Sequence, residues 1–183
     1  MSDEIAPGFL IAVPQLMDGN FHRTVVFLLE HNAQGAFGLV INRPSQMKVR
    51  DLLKTLEIDP GEGDPDARVL VGGPVQPETG LVLHTEKDFG EESRRVTESI
   101  FVASTPASLR RLVARGSSRV LCFAGYAGWG PGQLERELNE GSWIIAPADD
   151  SLLFAQDRGG LWEKALRKLG IDPRLIVSGG AVS

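Results

Sequence analysis

The stretch from Gly125 to Trp143, GYAGWGPGQLERELNEGSW, constrains the fold more than any other part of the sequence. It follows RVLCFA, an apolar run typical of a short buried strand, and it precedes a second apolar run, WIIA. Its glycines predict a strand-to-helix junction, and Pro131 is expected in the first turn of the helix, where a missing N–H costs nothing. Leucines four residues apart then form an apolar stripe, and Gly141 is typical of a helix end.

Short apolar runs predict the rest of a β-sheet. Two of them, Phe21 to His31 and Ala36 to Asn42, flank the turn NAQG and predict a β-hairpin. Arg43-Pro44 is expected to end the second strand, because proline lacks the N–H that a strand needs. Further strands are predicted in GFLIAVP, RVLV, GLVLH and the run from Val96 to Ala103. Periodic leucines predict helices at Val49 to Leu56, Pro106 to Ala114 and Leu161 to Leu169, and Thr105 is expected to cap the second of them.

Strands dominate the N-terminal half, and strands alternate with helices from Ile100 to Ala146. This order predicts a mixed α+β fold of the broad α/β type, in which a mixed β-sheet curls toward a barrel and helices pack around it. No linker long enough to separate domains is visible, so residues 1–183 are predicted to form a single domain.

Charge and cysteine content limit the function. The formal net charge of −5 argues against direct binding to the phosphate backbone of nucleic acids. The single cysteine, Cys122, excludes an intramolecular disulfide and a Cys-pair zinc site, and the histidines lack the spacing of a metal motif. We therefore expect no metal and no cofactor. The sequence shows neither a leader nor an apolar run long enough to span a bilayer, which predicts a cytoplasmic protein that does not bind membranes.

Candidate binding residues lie at strand ends and at the junction. His31 could serve acid–base chemistry or a structural hydrogen bond. Asn42 could pin a turn, and Arg43 could bind an anion bidentately or form a local ion pair. The glycines could expose a helix N-terminus to an anion, or they could let Tyr126 and Trp129 pack on neighbouring backbone. Neither a phosphate-binding fingerprint nor a nucleophile elbow is present, so no catalytic residue is predicted.

The segment from Arg94 to Arg119 contains six arginines and a single acidic residue, Glu98. One interpretation is a patch for nucleic acid or an acidic partner, formed by helix residues Arg110, Arg111 and Arg115. The other is that the segment complements the acidic loop from Glu86 to Glu92 and helps to pair two copies as a homodimer. The net charge favours the second interpretation.

Four blocks of the sequence resemble the AlgH/YqgE family of bacterial proteins. They are GFLIAVPQLMDGNF, EHNAQGAFGLVINRP, GGPV and GYAGWGPGQLERE, of which the second and fourth are specific. Together with Trp143 and LWEKALRKLG they cover nearly the whole chain. The chain departs from the family pattern in the loops around Gly61 to Asp66 and Asp88 to Arg95.

The resemblance implies a compact α/β fold with a flattened barrel-like sheet, no established catalytic activity and no cofactor. It also implies a regulatory influence on transcription, the role by which one member gave the family its label. The matched positions include His31, Asn42, Gly72, Gly73, Pro74, Tyr126, Gly128, Trp129, Gln133 and Glu137. Their concentration at strand ends and one junction predicts a shared surface pocket, with candidate residues His31, Asn42, Arg43, Tyr126, Trp129, Gln133 and Glu137.

The leading hypothesis is therefore a regulatory binding protein of the AlgH/YqgE type that is not an enzyme and that acts through an unidentified protein partner. The alternative is a protein that binds a small molecule or an anion, with or without enzymatic activity, near the Gly125 to Trp143 junction. A third hypothesis is direct DNA binding through the arginine-rich segment.

Overall fold

The computed structural model describes residues 4–61, 64, 66–87, 93–115 and 119–174, and the side chain of Arg115 lies outside the described part. The strands are β1 (Gly8–Ala12), β2 (Val25–Asn32), β3 (Gly35–Val40), β4 (Pro44–Lys48), β5 (Arg68–Val71), β6 (Val75–His84), β7 (Ser93–Arg95), β8 (Phe101–Ala103), β9 (Val120–Trp129) and β10 (Trp143–Pro147). The helices are α1 (Val49–Thr55), α2 (Pro106–Arg115), α3 (Gln133–Asn139), α4 (Asp150–Leu153) and α5 (Leu161–Lys168). None of these described helices is both long and apolar enough to cross a lipid bilayer.

The described strands form one sheet in the order β10-β1-β2-β3-β9-β6-β8-β7, with β5 beside β9 and β4 beside β5. Neighbours run antiparallel, whereas β5 and β9 run parallel. The predicted β2–β3 hairpin is present, with Asn32 opposite Gly35. The sheet curls into a half barrel with helices around it, which confirms the predicted mixed α+β fold.

The sheet is centred on β9, and different parts of this strand pair with different neighbouring strands. Residues 120–126 pair with β6, and the last three residues pair with β3. The change occurs between Tyr126 and Ala127, just after Gly125, whose φ of 75° lies in the left-handed region that favours glycine. Here β5 enters between β3 and β9: the N–H of Gly72 donates to the carbonyl of Ala124 at 2.9 Å, and the carbonyl of Gly72 accepts from the N–H of Val40 at 2.8 Å. The sheet therefore forks around β5.

Two boundaries at the junction differ from the sequence prediction. β9 does not end before Gly125 but continues to Trp129, and Gly125 within it allows the close approach of the Gly73 backbone. The turn into α3 comes later, and Gly132, with a φ of 75°, is the residue that precedes the helix. Pro131 lies in this turn, so its predicted place in the first helical turn is wrong.

The predictions around the first hairpin are also corrected. Phe21 lies in the β1–β2 loop, and β2 begins only at Val25. β3 ends at Val40, before the predicted end at Arg43-Pro44, and Pro44 is the first residue of β4, where it pairs with Leu70 of β5. Proline is tolerated at the first residue of a strand, where the missing N–H costs little.

Alternate residues of the strands contribute to separate hydrophobic cores. The first core packs the sheet against α4 and α5, and it contains Phe9, Ile11, Phe27, Leu161, Trp162 and Leu166. The second packs the opposite face against α3, and it contains Leu10, Ala12, Val26, Trp129, Leu134 and Trp143. The third lies beneath α1 and α2, and it contains Leu53, Val82, Leu109, Leu112 and Cys122. The candidate residues Gln133 and Glu137 thus lie on the helix whose leucines pack into the second core.

Side-chain caps fix the ends of two helices. The hydroxyl of Thr105 accepts the N–H of Ser108 at 3.1 Å, which confirms the predicted cap of α2. Asp149 caps α4 by accepting the N–H of Ser151 at 2.9 Å, and it also accepts from the Lys168 ammonium group of α5. Hydrogen bonds from Lys168 and Ser151 lower the pKa of Asp149 to about 2. One carboxylate therefore joins the two helices that cover the first core.

His84, at the end of β6, is fully buried. Its Nδ1 accepts the backbone N–H of Glu86 at 3.1 Å, and its Nε2 lies 2.6 Å from the hydroxyl oxygen of Ser93. Because Nδ1 acts as the acceptor, the neutral ring carries its proton on Nε2 and donates it to Ser93. Burial lowers the pKa of His84 and outweighs the opposite effect of the Glu86 carboxylate.

We expect the free energy of unfolding to fall as the pH decreases below 6.5, the ordinary pKa of histidine. In this range the unfolded chain takes up a proton while buried His84 stays neutral, so acid favours the unfolded state until the lowered pKa is reached. Above pH 6.5 His84 is neutral in both the folded and the unfolded state, so its contribution to the pH dependence of stability disappears. Urea unfolding at a series of pH values measures the slope, which His84→Gln should reduce. An unchanged slope in the variant would contradict the assignment.

Candidate functional site

Three N–H groups converge on the carboxylate of Glu137. The indole N–H of Trp129 donates to Oε1 at 3.1 Å, and the indole N–H of Trp143 donates to the same oxygen at 2.9 Å. The side-chain amide of Gln133 donates to Oε2 at 2.9 Å, while its own oxygen accepts the N–H of Gly130 at 3.0 Å. We call Trp129, Gln133, Glu137 and Trp143 the Glu137 cluster. Three of the predicted site residues are thus in direct contact with one another.

Local sequence explains how the cluster forms. β9 delivers Trp129 and β10 delivers Trp143, while Gln133 and Glu137 lie one helical turn apart on α3. The left-handed conformation of Gly132 allows the chain to turn sharply from β9 into α3. Leu134 on the same helix is fully buried in the second core, which fixes the rotation of α3 relative to the sheet.

An aromatic side chain from a distant part of the chain completes the cluster. The ring of Phe21 stacks on Trp129 at a centroid distance of 5.8 Å and meets the edge of Trp143 at 5.6 Å. The two indole rings meet edge to face at 6.0 Å. Such arrangements are favourable beyond the area they bury. Phe21 therefore holds the β1–β2 loop, residues 13–24, against α3.

The same loop is held from its other side by Asn42 and Arg43. The Asn42 side chain accepts the N–H of Val25 at 2.9 Å and donates to the carbonyl of Arg23 at 2.9 Å. The Arg43 guanidinium donates at 2.7 to 3.1 Å to three loop carbonyls, those of Gly19, Asn20 and His22. The predicted turn-pinning role of Asn42 is thus present, but it acts across strands, and Arg43 binds carbonyls where the sequence suggested an anion or an ion pair.

The β1–β2 loop carries a solvent-exposed hydrophobic residue. Met17 is 73% exposed, although the loop around it is tied down by side chains from β9, β10 and the segment between β3 and β4. A hydrophobic side chain held out by a fixed loop is an arrangement that can recognise another molecule. Sequence reasoning missed Met17 and Phe21 as site residues, although both lie in GFLIAVPQLMDGNF, one of the blocks that resemble the family.

His31 and Tyr126 stand apart from the Glu137 cluster. The Nε2 atom of His31 lies 3.3 Å from a carboxylate oxygen of Glu135 on α3, but the two groups are not aligned for a hydrogen bond and Nε2 is buried without one. Tyr126 packs against Phe37 with ring centroids 4.8 Å apart, and both border the first core. Because Tyr126 and Trp129 are three residues apart in a strand, they point to opposite faces of the sheet. A single pocket shared by all seven predicted residues is therefore not formed.

The arrangement around Glu137 suits anchoring better than proton transfer. A carboxylate offers about four acceptor positions, and the fold fills three of them with donors held on separate elements. Trp129 and Trp143 are each only 5% exposed, so their rings contact protein on both sides and leave little surface for a ligand. The cluster therefore stabilises the position of the β1–β2 loop.

The arginines predicted as a weak nucleic-acid patch have other surroundings. Arg110 is exposed, but its guanidinium donates to the carbonyls of Leu56 and Glu57 at 3.2 and 3.5 Å, just beyond α1. Arg111 is also exposed on α2. The side chain of Arg115 lies outside the described residues. Arg110 therefore joins α2 to α1, a structural role that the sequence alone did not indicate.

Known proteins resemble this chain over nearly its whole length. A UPF0301 protein of Myxococcus xanthus is 38% identical over 175 residues, which cover 96% of this chain and 96% of the relative. A UPF0301 protein of Methylococcus capsulatus is 40% identical over 177 residues, which cover 95% of this chain and 94% of the relative.

Solved structures show the same fold. The solution structure of the AlgH protein from Pseudomonas aeruginosa matches with a TM-score of 0.78 and 34% identity, over 97% of this chain and 95% of that one. A crystal structure of a protein from Corynebacterium diphtheriae matches with a TM-score of 0.77 and 25% identity, over 96% of this chain and 93% of that one. The AlgH-like family model covers residues 9–174. This chain therefore belongs to the AlgH-like family.

Proposed function

We propose that this AlgH-like protein is a non-catalytic regulatory protein of the cytoplasm that influences transcription by binding a protein partner through its β1–β2 loop. The observation that carries the proposal is the loop itself, which is held from two sides while Met17 is 73% exposed. A loop that is ordered before binding loses less conformational entropy when a partner docks. Methionine adapts its shape to a partner surface, which suits a contact of this kind.

The proposal of a non-catalytic role draws its support from the surroundings of Glu137. Its oxygens already accept two indole N–H groups and one amide, so this carboxylate is not presented to a substrate. The alternative, a ligand site near the Gly125 to Trp143 junction, has less support because Phe21 packs onto both indole rings. The partner would instead contact the outer surface of the β1–β2 loop.

Site-specific photo-crosslinking tests the docking surface. A photoreactive amino acid is placed at position 17, and the matched control carries it at position 47, where an exposed methionine lies on β4. We expect one protein of the source bacterium to crosslink at position 17 and not at position 47, since only the former lies on the fixed loop. Addition of excess unlabelled protein should suppress this adduct, and excess Met17→Glu protein should not. The same adducts from both positions, or none from position 17, would contradict the proposal.

We expect no direct binding to duplex DNA at near-physiological salt. The net charge of −5 repels the phosphate backbone, and the Arg110 guanidinium is already engaged with carbonyls near α1. Fluorescence anisotropy with labelled duplex DNA, at low and near-physiological salt, measures this directly. The triple variant Arg110→Ala, Arg111→Ala, Arg115→Ala serves as the comparison. Binding that survives the higher salt and weakens in the triple variant would replace the partner mechanism by direct DNA contact.

A further inference from the structure

A concavity on the protein surface is lined by residues that do not belong to the Glu137 cluster. It has a volume of about 770 Å³ and is lined by β4, β5, the start of β9 and the segment that follows α4. This volume is within the range of pockets that bind small molecules. Its wall contains the apolar side chains of Leu70, Leu121 and Phe154. It also contains three arginines, which are Arg68, Arg119 and Arg158.

Arg158 is held in place by backbone carbonyls, without a counter-ion among the residues that the structure describes. Its Nη1 atom donates to the carbonyl of Leu153 at 2.7 Å and to the carbonyl of Ile41 at 3.3 Å, and the side chain is partly buried. Within the described chain, no acceptor contacts its Nε or Nη2 atom and no carboxylate lies at ion-pair distance. Burial lowers the pKa of Arg158. A partly desolvated guanidinium without an opposite charge nearby is energetically costly. Because only Nη1 of Arg158 is used by the described part of the protein, its Nε and Nη2 donors can bind a ligand.

The two other arginines of the concavity also lack acidic partners among the described residues. The Arg68 guanidinium donates to the carbonyls of Gln46 and Ser45 at 2.9 and 3.4 Å. The Arg119 guanidinium lies 5.5 Å from the ring centroid of Phe154, a cation–π contact that orients it along the wall. Three positive charges therefore line one concavity, and no carboxylate in the described part of the chain is paired to any of them.

Two carboxylates at the same concavity have other partners. Asp64 accepts the backbone N–H of Asp66 at 2.9 Å, which closes a local turn. Asp66 lies 3.7 Å from the Lys48 ammonium group, and its side chain is 85% exposed. An exposed charge is largely screened by solvent, whereas a partly buried one is not. Arg158 is partly buried, whereas Arg68 and Arg119 are exposed like the two carboxylates, so Arg158 is the charge of the concavity that solvent screens least.

We propose that this concavity binds a small molecule that carries a phosphate group, with the phosphate at Arg158 and Arg119. A phosphate dianion balances several guanidinium charges better than one carboxylate does, and guanidinium donors match its oxygens bidentately. The apolar wall would contact the remainder of the molecule. This site contains no residue of the β1–β2 loop, so a test of phosphate binding is independent of a test of the protein-partner proposal.

Isothermal titration calorimetry on the full-length protein at fixed ionic strength tests the site. The probes are inorganic phosphate, AMP and glucose 6-phosphate, with adenosine, glucose and succinate as matched compounds that lack phosphate. We expect the phosphate compounds to bind and the others not to. Arg158→Met keeps the aliphatic stem but removes the charge, and it should weaken binding by about tenfold or more. Arg119→Met should weaken binding as well, while Arg136→Met, at an exposed position on α3, should leave it unchanged.

Thermal unfolding keeps the test decisive if one variant folds poorly. Phosphate compounds should raise the melting temperature of the unmodified protein and of Arg136→Met, and not that of Arg119→Met. The proposal is overturned if no phosphate compound binds, if succinate binds as tightly, or if the affinity is the same in Arg158→Met and Arg119→Met. An equal shift produced by sodium chloride would show a general salt effect and would overturn it too.

Discussion

Replacement of Gly73 by alanine is expected to lower the free energy of unfolding by at least about 3 kcal/mol, or to prevent folding altogether. A Cβ atom at this position would lie 2.2 Å from the carbonyl oxygen and carbonyl carbon of Tyr126, well inside van der Waals contact. The φ of Gly73, 155°, is also one that residues with a Cβ rarely adopt. The clash is with backbone, so a change of rotamer cannot relieve it.

The surroundings of Gly73 leave the backbone little room to move. The neighbouring Gly72 is hydrogen-bonded to Ala124 on one side and to Val40 on the other, so both strands would have to shift together. Gly125, directly across, faces the same restriction, because a Cβ there would lie 2.5 Å from the carbonyl oxygen of Gly73. The fork in the sheet therefore depends on glycine at each of these positions.

Gly80→Ala is the matched control for Gly73→Ala. Gly80 lies in β6 beside β9, and the nearest atom to a Cβ there is the Phe123 carbonyl oxygen at 3.9 Å, an ordinary contact distance. Since alanine loses less conformational freedom than glycine on folding, this variant should be as stable as the parent or slightly more stable. Urea unfolding and the yield of soluble protein compare the two. Equal stability of both variants would show that the fork tolerates a side chain.

Replacement of Glu137 by alanine is expected to cost about 3 kcal/mol of stability. It leaves the indole N–H groups of Trp129 and Trp143 and the amide of Gln133 without their acceptor in a largely buried cluster. Loss of this acceptor should also loosen Phe21, which packs on both indoles. Denaturant unfolding measures the first effect, and near-ultraviolet circular dichroism of the tryptophans measures the second.

Glu140→Ala provides the control for Glu137→Ala, because Glu140 is an exposed residue at the end of the same helix. It should change stability by less than about 0.5 kcal/mol. The loss of stability in Glu137→Gln should lie between the losses in Glu137→Ala and Glu140→Ala. The amide oxygen of the new glutamine can still accept both indole N–H groups, but its NH₂ group would face the NH₂ group of Gln133, and both are donors. A loss in Glu137→Ala no larger than in Glu140→Ala would show that the cluster does not anchor the loop.

Much of the fold could be predicted from local sequence. The hairpin of β2 and β3, the helix α1, the cap of α2 by Thr105 and the amphipathic α5 each depend on residues close together in the chain. The path of β9 could not be predicted in this way. In the sequence, Gly125 is typical of a strand end. Position 125 requires glycine because it contacts the backbone of Gly73, which is remote in sequence.

The candidate site was predictable only in part for the same reason. Gln133 and Glu137 are one helical turn apart, so their contact follows from local spacing. Phe21 reaches Trp129 across the fold, and no pattern within either segment indicates that contact. The separation of Tyr126 from Trp129 follows from strand alternation, and it was missed because this part of β9 has the composition of a turn.

The central position of β9 has a consequence for synthesis on the ribosome. β3 and β6 emerge early, yet each lacks its neighbour until residues 120–129 have left the exit tunnel. Strand edges that wait for a distant partner can pair with other chains, which is how nascent polypeptides aggregate. A chain truncated before β9 would keep both edges open, so the emergence of this one strand covers two waiting edges at once and leaves β1 as the strand that still waits for its partner, β10.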